Sequence, residues 1–210
     1  MNTRKNAMAQ SILLACALTV TACTGGASPP QPPQSPSPSV EQSPSPTPSP
    51  SPTKPKYQPA TAKGPAKNVP KPEMPKLAKE HNEEGAIAFV KYYFDLMNYS
   101  LETYTTEDIE EITMKNCRVC GVNFIDHLNL QAHRKYWQVD GQYNVKVHGV
   151  KINDKKEGLT SFALTINQAE VYSGPGKLVT KGQAVDNPAQ GVAILRWDKK
   201  WQMFDMSFAD

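Results

Sequence analysis

Residues 143–152 read YNVKVHGVKI, and this stretch decides the fold class. Every second residue from Tyr143 to Val147 is apolar, which is typical of a half-buried β-strand. Beyond Gly149 the apolar positions shift by one residue, to Val150 and onward. A phase shift at a glycine predicts a β-bulge that bends the strand.

Upstream of this strand the apolar residues recur at three- and four-residue steps, which predicts helices. The predicted helices cover residues 83–99, 107–113 and 121–137. Asn82 is expected to cap the first helix, and Thr105 or Thr106 the second. The inward-facing residues of the third are predicted to be Val122, Ile125, Leu128, Ala132 and Tyr136.

Downstream of residue 152 the apolar residues continue to alternate with polar ones, which predicts further strands up to the end of the chain. The last two strands are joined by a predicted turn at residues 198–200. In the final strand, Gln202, Phe204, Met206 and Phe208 form the more apolar face, which is expected to face the core. Helices followed by an antiparallel meander predict an α+β fold. The expected architecture is three N-terminal helices packed on one curved antiparallel sheet.

Proline divides the chain into two parts, because 17 of its 19 prolines precede residue 80. Residues 35–52 read SPSPSVEQSPSPTPSPSP, a composition that favours neither helix nor sheet. Residues 23–80 are therefore predicted to be a disordered Ser/Pro/Lys-rich tether, and residues 81–210 the globular domain. Three interpretations of the tether remain open: a plain spacer, an O-glycosylated spacer, or a segment whose lysines bind a cell-wall polymer.

The N-terminus has the parts of a secretory signal over residues 1–22: a basic start, a short apolar run and small residues. It ends in Val-Thr-Ala before Cys23, which resembles the bacterial lipobox. This resemblance implies a lipoprotein with acyl chains such as palmitate on Cys23. The expected location is the extracytoplasmic face of the cell membrane, with the lipid bilayer as partner. The alternatives are an ordinary secreted protein and a retained transmembrane helix, for which the apolar run is short.

The domain from residue 81 to 210 carries 14 basic and 17 acidic side chains, a net charge of −3. Such a surface has no electrostatic footprint for nucleic acid, so no nucleic-acid partner is expected. The chain has no Gly-rich phosphate loop, no H-E-x-x-H and no G-x-S-x-G motif. We therefore expect neither a cofactor nor an enzymatic activity.

Cys117 and Cys120 form the sharpest local motif. In an exported domain a structural disulfide is the default expectation. A redox pair is the rival, because the motif precedes a predicted helix whose N-terminus stabilises a thiolate. A zinc site with His127 and His133 is the third option. Their six-residue spacing on a helix points those two histidines apart.

The first helix also carries a resemblance to a known group. Gly85-Ala86, Ala88-Phe89, Tyr92-Tyr93 and Asn98-Tyr99, followed by the two cysteines, resemble an uncharacterised family of actinobacterial lipoproteins, a domain of unknown function. The resemblance implies an anchored lipoprotein with a proline-rich tether and a domain of this size, and no activity. The chain departs from the pattern at residues 99–104, where a glycine-containing turn is expected.

The order of elements resembles the nuclear-transport-factor-2-like, or cystatin-like, cone folds. This implies a pocket between the first helix and the curved sheet. The candidate lining residues are Tyr92, Tyr93, Tyr136, Trp137 and Asp205, with Asp95 and His148 as further candidates. Some enzymes of this class, isomerases and dehydratases, pair a buried carboxylate or histidine with a tyrosine there.

Three functional hypotheses follow. The first is a non-catalytic domain that binds a small ligand or a protein partner at the cell envelope. The second is a cone-fold isomerase or dehydratase, for which Tyr93 and Asp205 are the nearest match in residue type. The third is a thiol oxidoreductase that uses Cys117 and Cys120.

Overall fold

The computed structural model describes residues 55–209, so the predicted signal 1–22, the lipidation site Cys23 and the Ser/Pro repeats lie outside the described residues. The described part is a mixed α+β structure. Its helices are α1 (Glu83–Thr103), α2 (Glu107–Glu111) and α3 (Asp126–His133), with a 3-10 helix at Lys76–Lys79 and a π-helix at Gly121–Ile125. None of the helices in this part of the chain is long and apolar enough to cross a membrane.

Helix α1 begins where the sequence predicts and ends one turn later. The side chain of Asn82 accepts a hydrogen bond from the Gly85 amide at 2.7 Å, which confirms the predicted N-cap. The helix ends after Thr103, because the next residue, Tyr104, adopts the left-handed conformation with φ +53°. This conformation favours glycine. The turn for which a glycine was expected is therefore present, with a tyrosine in the strained position.

The third helix, predicted over 121–137, is shorter than predicted, although its predicted inward residues Ile125 and Leu128 are buried. Its first turn is the π-helix, whose extra residue per turn rotates the apolar face relative to a regular helix. Phe124 is consequently buried, whereas Val122, which was predicted to face inward, is 53% exposed. The helix ends by Arg134, because Lys135 takes φ +59° and breaks it.

The seven strands form two antiparallel sheets, which corrects the prediction of a single curved sheet. The strands are β1 (Trp137–Asp140), β2 (Tyr143–Ile152), β3 (Glu157–Ile166), β4 (Ala169–Tyr172), β5 (Leu178–Lys181), β6 (Val185–Asp198) and β7 (Lys200–Phe208). Four of them pair in the order β2-β3-β6-β7, and the other three in the order β1-β4-β5. After Ile166 the chain passes from β3 of the four-stranded sheet to β4 of the three-stranded one.

Two β-bulges lie where the alternation of apolar and polar residues along a strand is interrupted. The register of β2 shifts between Val147 and Gly149, which confirms the bulge predicted there. A second bulge lies in β7, where Leu195 pairs with Met203 but Ile194 pairs with Asp205. The extra residue reverses the face of the strand. The predicted inward face of β7 is therefore wrong for its first half: Trp201 and Met203 are buried, and only beyond the bulge does Met206 face the core.

The core lies between α1 and the four-stranded sheet. Each is apolar on the side that faces the other, and burial of these side chains is the main stabilising term. The largest fully buried side chains include Phe89, Tyr93, Phe94, Leu96, Ile109, Phe162, Leu195 and Trp201. The short parallel contact of Thr113 with Met203 ties the segment after α2 to the outer edge of β7.

Residues 55–80, which were predicted as the end of the disordered tether, have defined positions against the domain. We call this segment the strap. Its Gln58 and Lys67 backbones pair with each other at 2.9 Å, and the Trp137 indole donates to the Thr61 carbonyl at 2.8 Å. Ala78, in the 3-10 helix, is buried. The sequence assigned these residues to the tether, whereas within the described part of the chain they form an extended segment that packs on the domain.

The C-terminal end of the strap is fixed against α1 and the sheet. The Trp201 indole donates to the Glu80 carbonyl at 2.8 Å. A Cβ atom on Gly85 would overlap that same carbonyl oxygen, so only glycine allows the first turn of α1 to approach the strap this closely. Gly85 belongs to the motif on which the family resemblance was based. The close approach of the strap explains why this position is a glycine.

Candidate functional site

An apolar cavity of about 260 Å³ lies between α1, the π-helix and the four-stranded sheet. We call it the sheet cavity. Its floor consists of buried side chains: Phe94, Met97, Phe124, Leu164 and Met206. Its rim consists of partly or largely exposed ones: Val119, Asn123, Tyr143, Ile166, Ala189 and Phe208. A closed floor and an open rim are the features of a site that a small ligand can enter.

Asn98 fixes the distance between α1 and the sheet at this cavity. Its amide oxygen accepts a hydrogen bond from the Tyr143 backbone N–H at 2.8 Å, and its amide nitrogen donates to the Tyr143 carbonyl at 2.9 Å. Tyr143 lies on β2, at the edge of its sheet, where backbone groups lack a neighbouring strand. The two bonds satisfy the backbone N–H and C=O of Tyr143 and set the spacing between the helix and the sheet.

The aromatic rings that line the cavity belong to a chain of ring contacts that also includes the buried Phe162. Phe94 packs edge-on against Phe162 at 5.2 Å, and Phe162 against Phe208 at 5.8 Å. Tyr143 joins the chain through Phe94 and Phe124, at 6.3 Å and 6.1 Å. Such contacts between large rigid rings fix the shape of the walls.

The chemistry of the sheet cavity is that of apolar contact. None of its lining residues carries an ionisable carboxylate, imidazole, amine or thiol, and its polar groups are the Asn123 amide and the Tyr143 hydroxyl. Burial raises the pKa of Tyr143 above its ordinary value, so this phenol stays neutral at physiological pH. The arrangement offers a ligand two neutral hydrogen-bonding groups at neutral pH, an amide and a phenol.

The residues that the sequence suggested for a pocket do not line this cavity. Tyr93 is fully buried, and its hydroxyl hydrogen-bonds the Thr113 hydroxyl at 2.8 Å. Asp205 is half-buried on β7, and its carboxylate accepts the amide of its neighbour Met206. Tyr92 is buried elsewhere on α1. Among the residues described, no hydrogen bond joins Tyr93 and Asp205.

Tyr136 and Trp137 come together instead in a second space, of about 440 Å³, between the domain and the strap. We call it the strap groove. Its domain side carries Tyr99, Glu102, Thr103 and Tyr104 from the end of α1, and its strap side carries Pro65, Ala66, Asn68 and Val69. Sequence reasoning missed this groove because it assigned its strap wall to a disordered tether. Asp95 and His148 are exposed and line neither space.

Cys117 and Cys120 form a disulfide, as the motif predicts. Both residues are 1% exposed, and the loop that they close contains Val119, a residue of the cavity rim. The disulfide therefore braces the segment that leads into the π-helix. Reactive cysteines lie in partially exposed surroundings, so the burial of both residues favours the structural disulfide over the redox pair.

The proposed metal ligands are not assembled into a site. His127 and His133 are exposed on α3, and both cysteines are taken by the disulfide. Across residues 55–209 no group of three or more His, Cys, Asp or Glu side chains is placed to hold a metal ion.

The family to which the chain belongs is decided by a sequence comparison. The model of a family of unknown function, DUF6318, matches residues 55–207. The chain belongs to the DUF6318 family. The match includes residues 55–80, so the strap is part of the DUF6318 domain. Among proteins with curated descriptions, none matches the chain in sequence.

Solved structures give only distant likenesses to this DUF6318 chain. It is similar to the intermembrane space region of the chloroplast protein ARC6, with 12% identity, 60% of this chain and 95% of that chain covered, and a TM-score of 0.47. It is also similar to Aln2 from a Streptomyces species (11% identity, 59% and 89% covered, TM-score 0.37). A Catenulispora acidiphila protein in complex with S-DNPA compares similarly, with 10% identity, 59% and 92% covered, and a TM-score of 0.37.

Proposed function

We propose that this DUF6318 chain is a lipid-anchored protein of the cell envelope whose domain binds an apolar small molecule in the sheet cavity without catalysis. The observation that carries the proposal is the lining of the cavity: a continuous apolar surface with a neutral amide and a neutral phenol at its rim. Apolar ligands gain binding free energy from the surface that they remove from water, and a few polar groups fix their orientation.

The size of the cavity limits the ligand. A volume of about 260 Å³ is slightly below the usual range for drug-sized ligands. It suits a short apolar chain or a single small ring system, or one end of a longer lipid whose remainder leaves through the rim. An acyl chain is the simplest such ligand at a membrane surface, because it needs no charged partner.

The anchor and the shape of the domain are part of the same proposal. Cys23, acylated, would hold the protein at the extracytoplasmic face of the cell membrane, with the proline-rich segment as the tether and the bilayer as the source of ligand. In its finer form the fold is a cone of the nuclear-transport-factor-2-like kind, with the sheet cavity at the place where such folds have pockets. The cavity lining contains no carboxylate, imidazole, amine or thiol, which supports binding over isomerase or dehydratase chemistry.

The proposal is tested by photolabelling of the full chain in its own membrane. Cells take up a fatty acid that carries an alkyl diazirine, and after irradiation the labelled peptides of the purified protein are mapped by mass spectrometry. We expect label on peptides that contain floor residues such as Phe94 and Phe124. Ala189→Trp, which fills the cavity from its rim, should lower this labelling by about tenfold, the effect of ~1.4 kcal/mol of lost binding free energy.

The matched control is Gln190→Trp. Gln190 is the next residue of β6, exposed, and lines the opposite face of the sheet. It should leave the labelling unchanged, because neighbouring strand residues point to opposite faces. Equal labelling of both variants, or label confined to the outer surface, would contradict the proposal.

A further inference from the structure

The strap groove has a different chemistry from the sheet cavity. Four of its lining residues are aromatic with a polar tip: Tyr99, Tyr104, Tyr136 and Trp137. The volume of about 440 Å³ lies within the range of small-molecule sites.

The groove and the sheet cavity lie on different faces of α1. Phe94, which lines the cavity, and Thr103, which lines the groove, are nine residues apart, so their directions differ by roughly half a turn around the helix axis. The two spaces therefore lie on opposite sides of the same helix.

The groove is a built structure whose strap wall is held by specific bonds. The Trp137 indole donates to the Thr61 carbonyl at 2.8 Å, and the Asn68 amide donates to the Lys56 carbonyl at 3.1 Å. Asn68 takes φ +54°, a conformation that asparagine tolerates better than most residues. The wall is thus preorganised, which lowers the cost of ordering it on binding.

The polar groups available in the groove are neutral. Glu102 is the only charged residue in the lining, and both of its oxygens are occupied, by the Tyr57 hydroxyl at 2.7 Å and the Gln142 amide at 3.0 Å. The hydroxyls of Tyr99, Tyr104 and Tyr136 have no hydrogen-bond partner among residues 55–209. Each phenol can donate one hydrogen bond and accept others.

We infer that the strap groove binds a neutral polyhydroxylated ligand, a sugar or a short stretch of glycan. Aromatic faces pack against the apolar face of a sugar ring, and the three phenol hydroxyls pair with its hydroxyl groups. A charged ligand is disfavoured, because the groove offers it no free opposite charge. At the cell envelope the same chemistry is presented by a wall glycan and by a free oligosaccharide, and the experiment separates these two sources.

The test uses the full chain with two kinds of probe. Purified cell-wall glycan measures binding to the polymer by co-sedimentation. Maltose and diacetylchitobiose at millimolar concentration measure binding of free sugars by titration calorimetry. We expect binding to at least one probe. Tyr136→Ala should weaken it by about tenfold, as for the loss of one central aromatic contact.

Two further variants make the result specific. Tyr136→Phe keeps the ring and removes the hydroxyl, so it should weaken binding by a smaller factor and keeps the test valid if the alanine variant folds poorly. Phe204→Ala removes a half-buried aromatic residue outside the groove and should leave binding unchanged. Binding to the glycan alone or to free sugar alone identifies the source. No binding to any probe, or equal binding by all variants, would overturn the inference.

Discussion

The two spaces on either side of α1 differ in what builds their walls. The sheet cavity is walled by core elements, and its lining is apolar because the core is apolar. The strap groove is walled on one side by a proline-containing segment that is exposed over most of its length, and its lining is aromatic with polar tips. The same helix therefore borders two spaces of different chemistry, one formed by the packing of the core and the other by the packing of the strap.

The coupling of the sheet cavity to folding gives the largest expected effect. Phe94→Ala removes a ring that is 1% exposed and contacts Phe162. Its loss should lower the free energy of unfolding by about 3–5 kcal/mol, measured by denaturant titration. On the other side of α1, Tyr99→Ala removes a half-buried ring and should cost about 1 kcal/mol. Similar losses for both variants would break the distinction between a core-built cavity and a surface groove.

The disulfide should affect the sheet cavity and leave the strap groove alone. Replacing both Cys117 and Cys120 by serine should lower stability by about 2 kcal/mol, because the closed loop is short. It should also weaken the labelling of the sheet cavity, since Val119 lies inside that loop. Sugar binding in the groove is the control readout. If sugar binding were lost and labelling were intact, the disulfide would support the strap groove and not the sheet cavity.

The strap should respond to the loss of a single hydrogen bond. Trp137→Phe keeps an aromatic ring beside Tyr172 and removes the indole donor to Thr61. We expect a cost of about 1 kcal/mol, seen as roughly fivefold faster hydrogen exchange at the Gln58 and Lys67 amides. The Tyr143 amide, which Asn98 holds at the sheet cavity, is the internal control and should exchange as before. Equal acceleration at all three amides would mean that the strap and the core open together.

The smallest expected effect is a pH response of the strap at Tyr57. Burial and the hydrogen bond to Glu102 raise the pKa of Tyr57 to about 12, from an ordinary value of 10.0. Because the folded pKa is the higher one, this contact stabilises the strap fully below about pH 10 and is lost as pH rises to about 12. Difference absorbance between the full chain and Tyr57→Phe should show one phenol that titrates late. A titration near pH 10 would mean that the Tyr57–Glu102 contact is not formed in solution.

Local patterns predicted those elements whose structure depends on neighbours in sequence. The alternation around Gly149 predicted the bulge in β2, and Asn82 was correctly identified as a cap. The π-helix and the bulge in β7 each add one residue to a repeat, and nothing in the apolar pattern marks the position of the insertion. The predicted faces were therefore wrong at Val122 in the π-helix and in the part of β7 that precedes its bulge.

The candidate sites could be predicted less well than the fold. The resemblance to cone folds placed a pocket between the first helix and the sheet, and a cavity is there. The residues that line this cavity were not predicted. The candidates were polar side chains typical of enzyme sites, whereas the cavity is lined by apolar ones such as Phe94, Leu164 and Met206. The strap was missed because proline content was interpreted as disorder. Gly85 was a usable signal, since a glycine in the first turn of a helix permits a close approach by another segment.

Whether the sheet cavity holds an apolar ligand is tested by a comparison of the compounds that co-purify with the protein. The full chain and its Ala189→Trp variant are purified in parallel from the native host, denatured, and extracted for mass spectrometry. We expect an apolar compound at about one molecule per chain in the unmodified protein and its near absence from the variant. The same compounds in the same amounts from both proteins would contradict the proposal.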